Sequence, residues 1–216
     1  MEMKTPILII NFKVYDNSIK DTIKIANIVK RVSEETGVNI VVAPSHISLK
    51  ETAGIVPTFA QSIDPLNPGP YTGSVIAEDL KGAGVAGAII NHSEKRLNAE
   101  VVEKCVRRCK ENSLISVVCV ENQEEAKSYS EFNPTYIAIE PPELIGKISV
   151  TQVNPKIIED VVKSVNVKVL CGAGIRTKDD IKKALELGAV GVLVSSGIVK
   201  AENIEESLRE AVKGFL

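Results

Sequence analysis

Eight short apolar runs alternate with eight helix-prone segments along nearly the whole chain. Such runs are typical of parallel strands, which are buried on both faces and are joined by helical crossovers. The expected strands cover residues 7–10, 38–43, 58–60, 85–90, 114–120, 135–139, 167–170 and 190–194. The expected helices cover residues 19–36, 45–53, 74–81, 99–110, 124–130, 155–164, 177–188 and 204–212. Each strand is therefore followed by a helix.

This alternation predicts a closed (β/α)8 barrel, the TIM-barrel architecture, formed by residues 1–216 as a single domain. A doubly wound open sheet is the alternative, and its dinucleotide fingerprint would be expected after the first strand. The one match to that fingerprint, Gly82-x-Gly84-x-x-Gly87, precedes a strand instead of following one. Since the required context is missing, the barrel is the better interpretation.

Composition argues against several classes of function. The formal net charge is −2 and no basic cluster stands out, so we expect no nucleic-acid partner. The apolar runs are too short for a membrane span or a signal peptide, so we expect no membrane association and a cytoplasmic location. The four cysteines form no C-x-x-C pair, and only His46 and His92 could supply imidazole ligands. We therefore predict reduced structural thiols and no metal site.

Polar and small residues follow the strands, and in a barrel all strand ends meet at one face. Glu140 is the clearest case, because it ends an apolar run and Pro141-Pro142 then stop the strand. The other strand-end residues are Asn11, Lys13, His92, Glu94, Gly172, Gly174, Ser195, Ser196 and Gly197. Small-residue turns at helix starts leave backbone N–H groups free for an anion, so the last two loops predict a phosphate site.

Three segments resemble the signature motifs of triosephosphate isomerase: residues 11–13 (Asn-Phe-Lys), 91–94 (Asn-His-Ser-Glu) and 139–146 (Ile-Glu-Pro-Pro-Glu-Leu-Ile-Gly). Gln61 and the segments 71–73, 119–121 and 171–174 also fit in order, so the resemblance spans the chain. The short length and the Pro-Pro-Glu-Leu sequence are similar to the archaeal branch of this family. The resemblance implies isomerisation of dihydroxyacetone phosphate and glyceraldehyde 3-phosphate, in glycolysis and gluconeogenesis, without a cofactor.

The resemblance also implies a role for each strand-end residue. Glu140 would be the base, His92 the hydrogen-bond donor to the carbonyl, and Lys13 the positive charge near the phosphate and the enediolate. Glu94 would support Lys13, and the substrate-binding residues would be Asn11, Lys13, Ile145, Gly146, Gly174, Ser195 and Ser196. Ile145 and Gly146 would belong to a lid, although Lys147-Ile148 follow Gly146 where the family usually has a second glycine.

The family resemblance further implies self-association. The loop at residues 70–73 is rich in proline and glycine, and in this family it reaches into a neighbouring subunit. A homotetramer is expected, with a dimer as the alternative. Two other functions remain open from the sequence alone. One is another phosphate-binding barrel isomerase or epimerase, and the other is a sugar-phosphate-binding barrel without catalysis.

Overall fold

The computed structural model describes residues 3–141 and 149–216, and within them eight strands alternate with helices. The strands are β1 Ile7–Asn11, β2 Asn39–Ala43, β3 Phe59–Ala60, β4 Gly87–Ile90, β5 Ile115–Val120, β6 Tyr136–Ile139, β7 Lys168–Cys171 and β8 Gly191–Val194. The helices are α1 Asp16–Lys20, α2 Thr22–Thr36, α3 Leu49–Ala53, α4 Ala77–Gly82, α5 Ala99–Glu111, α6 Gln123–Ser130, α7 Val150–Val153, α8 Pro155–Ser164, α9 Lys178–Glu186, α10 Ser196–Val199 and α11 Ile204–Val212. The predicted lid residues Ile145 and Gly146 lie outside the described residues.

All strand pairs are parallel, and the sheet closes on itself. The hydrogen-bonded order is β2-β1-β8-β7-β6-β5-β4-β3, and a parallel bridge between Val42 and Thr58 joins β2 to β3. The (β/α)8 barrel predicted from the alternating pattern is therefore confirmed. Closure brings the carboxyl ends of all eight strands to one rim.

Two apolar layers hold the barrel together. Side chains such as Ile7 and Ile9 point into the barrel, whereas Leu8 and Ile10 on the same strand pack between the sheet and the helices. Alternation along a strand produces this division, since successive side chains point to opposite faces. Both faces are apolar, which explains why the strands read as continuous hydrophobic runs. Burying each such side chain contributes about 1.5–3 kcal/mol.

Three expected helices differ most from the structure. The expected helix 45–53 is a 3₁₀ turn at His46–Ser48 followed by α3. The expected helix 19–36 is split into α1 and α2, because Asp21 has φ −110° and ψ 17° between them. The expected helix 74–81 begins only at Ala77, since Val75 is held by Asp64. Val75 N–H donates to the Asp64 carboxylate at 2.7 Å, and its carbonyl accepts from Asp64 N–H at 2.8 Å. At Val75, therefore, a tertiary contact overrides helical propensity.

Other local predictions agree with the structure. Gly37 ends α2 in the left-handed region with φ 72°, as a C-terminal glycine does. Thr177 caps α9 within a capping box that includes Asp180, and α8 begins with Pro155. No helix in residues 3–141 or 149–216 is long and apolar enough to span a bilayer.

Candidate active site

A cavity of about 190 Å³ opens at the rim formed by the carboxyl ends of the strands. Its walls come from β1, β4, β6, β7 and β8 and from the residues that follow them. The lining residues are Asn11, Lys13, Tyr15, His92, Glu140, Ala173, Gly174, Ile175, Arg176, Leu193, Val194, Ser195 and Ser196. The cavity therefore joins a carboxylate, an imidazole and an ammonium group with the two small-residue turns.

Glu140 follows directly after β6 and is held by the backbone. Its N–H donates to the carbonyl of Val120 at 2.8 Å, which extends the sheet register by one residue. The residue is only 6% exposed, and its Oε2 has no hydrogen-bond partner among the described residues. An unpaired buried carboxylate oxygen is costly unless a ligand supplies a donor, so such atoms need an explanation. Here the oxygen belongs to a residue that lines the cavity.

His92 faces Glu140 across the cavity, with 3.9 Å between His92 Nε2 and Glu140 Oε2. The backbone N–H of Glu94 donates to His92 Nδ1 at 3.2 Å. A nitrogen that accepts a hydrogen bond carries no proton, so this network assigns the proton of a neutral ring to Nε2. The Glu94 carboxylate is also 3.7 Å from Nδ1, but it already pairs with Lys13. The neutral ring thus has its N–H group available for a ligand in the cavity.

Asn91 lies between the end of β4 and His92 and sets the backbone conformation there. Its backbone is left-handed, with φ 62°, which is uncommon for a residue other than glycine. Its side chain stabilises this turn, donating to the Cys119 carbonyl at 2.9 Å and accepting from Leu97 N–H at 2.9 Å. Strained backbone of this kind concentrates at functional sites.

Lys13 also has a left-handed backbone, with φ 49°. Asn11 Oδ1 accepts from Lys13 N–H at 3.0 Å, and the Gln61 amide donates at 3.0 Å to the carbonyls of both Lys13 and Ala43. These contacts hold the backbone in an unfavourable conformation that aims the side chain into the cavity. Its Nζ lies 2.6 Å from Glu94 Oε1. Lys13 and His92, from different strands, are therefore linked through Glu94.

The loops after β7 and β8 form the opposite wall. Ala173 and Gly174 have φ values of 45° and 74°, so the chain turns sharply there beside the cavity. After β8 comes α10, a short additional helix that begins at Ser196 and was not expected from the sequence. In such barrels the loops after the last two strands and a short extra helix are a frequent phosphate site. Ser195 Oγ is buried and has no partner among the described residues.

The cysteine side chains are all buried and unbridged. Burial raises the pKa of the Cys105 and Cys109 thiols to about 12, and it also raises that of Cys119. These thiols are therefore protonated at neutral pH and poor nucleophiles. Within the described ranges there is no group of three or more histidine, cysteine or carboxylate side chains placed to hold a metal ion.

The sequence model of a family described as triosephosphate isomerase matches residues 6–211. The chain belongs to the triosephosphate isomerase family. A protein of that name from Methanocaldococcus jannaschii is 46% identical, with 96% of this chain and 99% of the relative covered. One from Methanobrevibacter smithii is 44% identical, with 97% and 99% covered. The crystal structure of triosephosphate isomerase from Bartonella henselae has a TM-score of 0.69 at 19% identity, covering 95% and 98% of the two chains, and supports the fold.

Membership of the triosephosphate isomerase family agrees with the resemblance given by the motifs. The catalytic and substrate-binding residues predicted within the described ranges all line the cavity, whereas Glu94 contacts Lys13 from outside it. The strand-end residues Gly172 and Gly197 do not line it. Ile145 and Gly146 fall in the undescribed segment. Tyr15 and Arg176 also line the cavity and were missed. The available signal was their spacing, since each lies two residues beyond a predicted site residue.

Gly172 is required for space and not for its backbone angles. A Cβ atom there would lie 2.3 Å from Glu140 Cγ and 2.6 Å from Oε1. Any side chain at this position must displace the carboxylate. The glycine that the sequence interpretation assigned to an anion-binding turn thus also makes room for Glu140.

Replacing Gly172 with alanine should therefore lower kcat by about 10²-fold, since a displacement near 1 Å can cost that much. The overpacking itself should destabilise the fold by about 1–3 kcal/mol. Gly87→Ala is the matched control, because its Cβ would lie 2.4 Å from the Ile115 carbonyl at the other end of the barrel. Steady-state kinetics and thermal unfolding of both variants separate the two effects. An unchanged kcat in Gly172→Ala would contradict this role.

Proposed function

We propose that this protein interconverts dihydroxyacetone phosphate and D-glyceraldehyde 3-phosphate by proton transfer through an enediolate. The observation that carries the proposal is the juxtaposition of an unpartnered carboxylate oxygen and a neutral imidazole N–H, with 3.9 Å between Glu140 Oε2 and His92 Nε2. A substrate held between them can lose a proton at carbon while its carbonyl oxygen receives a hydrogen bond. Family membership supports the choice of a triose phosphate.

Glu140 acts as the base in this proposal. Its carboxylate removes a proton from C1 of dihydroxyacetone phosphate, and the C2 carbonyl oxygen takes the resulting charge. The hydroxyl proton on O1 then moves to O2, and Glu140 returns its proton to C2. The products are an aldehyde at C1 and a regenerated carboxylate. A base positioned in this way typically contributes about 10²–10⁴-fold to the rate.

His92 stabilises the charge that develops on the substrate oxygens. A neutral ring with its proton on Nε2 donates a hydrogen bond to the carbonyl and then to the enediolate. A preorganised donor in a cavity that excludes water is more effective than the same donor in solution. The Glu94 N–H keeps the ring in this tautomer by occupying Nδ1.

Lys13 and the late loops hold the rest of the substrate. The ammonium group attracts the phosphate dianion, and Asn11 contacts the substrate oxygens as well as fixing the Lys13 backbone. Gly174, Ser195 and Ser196 supply polar groups beside the phosphate, with Ile145 and Gly146 expected to close over it. All the groups required are protein groups, so we predict turnover without a metal or an organic cofactor.

The direct test measures turnover of both triose phosphates by purified protein after chelator treatment and dialysis. We expect interconversion in both directions and incorporation of solvent deuterium at C1 of dihydroxyacetone phosphate, because the proton passes through Glu140. Activity that disappeared with chelator and returned with a divalent ion would contradict the assigned roles. Tight binding without turnover would favour a sugar-phosphate-binding barrel instead.

The two histidines provide a matched pair of variants. His92→Gln should lower kcat by about 10²-fold or more, because the donor to the developing oxyanion is displaced. His46→Gln should retain nearly full activity, since the His46 ring contacts Ser62 away from the cavity, with 3.2 Å from Nε2 to the Ser62 carbonyl. Steady-state kinetics of both variants is the measurement. Equal losses would contradict the assignment of His92.

We further propose that the chain acts as one domain in a cytoplasmic homo-oligomer, a tetramer or at least a dimer. Three apolar side chains support self-association, because Val14, Ile47 and Tyr71 are 70%, 99% and 53% exposed. They follow β1, β2 and β3, which are adjacent around the barrel. Arg108 donates to the Leu66 carbonyl at 3.2 Å and steadies the loop that carries Tyr71.

Replacing Ile47 with arginine should shift the protein to a smaller species, because a charge in a buried interface is expensive to desolvate. Leu216→Arg is the control, because Leu216 is also apolar and exposed but adjoins residues at the amino-terminal ends of β1 and β2, at the opposite end of the barrel. Sedimentation velocity and light scattering give the masses. A fully active wild-type monomer at micromolar concentration would contradict self-association.

A further inference from the structure

Asp180 is a buried carboxylate that none of the proposed chemical steps uses. It is the third residue of α9 and is only 3% exposed. Its two oxygens accept five hydrogen bonds from two separate parts of the chain. A carboxylate removed from water in this way must be fully paired to be tolerated.

One oxygen, Oδ2, holds the loop that follows β7. It accepts from the backbone N–H groups of Arg176 and Thr177 at 3.2 and 3.1 Å and from Thr177 Oγ1 at 2.9 Å. Ala173, Gly174 and Arg176 of this loop line the cavity. The position of the Gly174 backbone thus depends on where Asp180 anchors the end of its loop.

The other oxygen, Oδ1, holds the segment at which the described chain resumes after β6. It accepts from Thr151 Oγ1 at 3.2 Å and from Gln152 Nε2 at 2.8 Å, both on α7. Ser149 Oγ adds a further contact, 2.8 Å from Thr151 Oγ1. Asp180 therefore ties the segment downstream of Glu140 to the loop downstream of β7.

Capping of α9 alone does not account for this arrangement. The N-cap residues Asn98, Asn122 and Asn203 each use one side-chain oxygen to accept from one N–H of their own helix, and each lies at the surface. Asp180 is buried and joins two elements from different parts of the chain. Burial would raise its pKa, but bonds from the Gln152 side chain and the backbone of Thr177 and Arg176 hold that pKa below its usual value. The group is therefore ionised at neutral pH and strengthens each bond it accepts.

We propose that Asp180 is a positioning residue for substrate phosphate, fixing the loop at 173–177 against the segment at 149–152. This inference rests on the proposed function, because it assumes that Gly174 and its neighbours contact phosphate. Asp180 does not touch the substrate. It acts by fixing the distance between Lys13 and the backbone at Gly174 and its neighbours, which contacts the phosphate.

Thr151→Val and Gln152→Leu test this inference without disturbing the capping box. Each removes one donor to Oδ1 and leaves the bonds from Arg176 and Thr177 to Oδ2 in place. We expect KM and the dissociation constant of inorganic phosphate to rise about three- to tenfold, because the loop carries only part of the free energy of the lost charge-assisted hydrogen bond to the phosphate site. We expect kcat to stay within about twofold of wild type. Thr151→Ser, which restores the hydroxyl, should recover wild-type values.

Asn203→Ala is the matched control, because it removes a helix cap that does not line the cavity. It should lower the unfolding midpoint while leaving KM and phosphate affinity unchanged. Gln152 is exposed, so its variant provides the measurement if Thr151→Val folds poorly. Wild-type phosphate affinity in both Thr151→Val and Gln152→Leu would overturn the inference. Phosphate is titrated by NMR without turnover, so this outcome is distinct from absence of isomerase activity, which would overturn the proposed function.

Discussion

Glu140→Gln should lower kcat by about 10²–10⁴-fold while changing KM little. The amide has the shape of the carboxylate but cannot accept the substrate proton. Because Glu140 is buried with Oε2 unpartnered and no other carboxylate lines the described cavity, no neighbouring group can replace it as the base. The same variant should therefore also fail to exchange substrate protons with deuterium from solvent.

Glu121→Gln is the control for this experiment. Glu121 ends β5 as Glu140 ends β6, but its carboxylate lies 3.6 Å from Arg96 Nε and does not line the cavity. Its substitution should leave kcat and deuterium exchange near wild type. Steady-state assays in both directions and NMR-detected exchange are the measurements. If Glu140→Gln kept more than about a tenth of wild-type kcat, the base would have to be another residue.

The barrel and the strand-end residues could be predicted because both depend on short-range patterns. Apolar runs mark β6 and β8, and closure of a parallel barrel then brings the residues that follow them to one rim. Glu140 and Ser195 were therefore located from the end of a strand alone. The family resemblance supplied the roles that the pattern could not.

Other features of the site depend on contacts between distant parts of the chain, and no local pattern encodes them. The tie between Asp180 and Thr151 joins residues that are far apart in sequence. The need for glycine at 172 arises from the Glu140 side chain on the neighbouring strand.

Lys13→Met is the second substitution with a large expected effect, and we expect it to lower activity much more than stability. Lys13 lies against the cavity, whereas its partner Glu94 is 58% exposed and can be hydrated once the ammonium is lost. The unfolding midpoint should therefore change little, since exposed ion pairs contribute about 0–1 kcal/mol. Methionine adopts the left-handed backbone conformation of residue 13 as readily as lysine does, so the loop geometry should be retained.

Activity should fall far more than stability. Loss of a fixed charge aimed at both phosphate and enediolate should lower kcat/KM by about 10²–10³-fold, through a higher KM and a lower kcat together. Glu94→Gln leaves the lysine in place and should cost less than about tenfold. Lys95→Met removes the same charge from a lysine that is hydrogen-bonded to Ser62, and it should change kcat/KM little. An equal loss of kcat/KM in Glu94→Gln and Lys13→Met would mean that the ion pair is the functional unit. The proposed direct role of the Lys13 ammonium toward the substrate would then be contradicted.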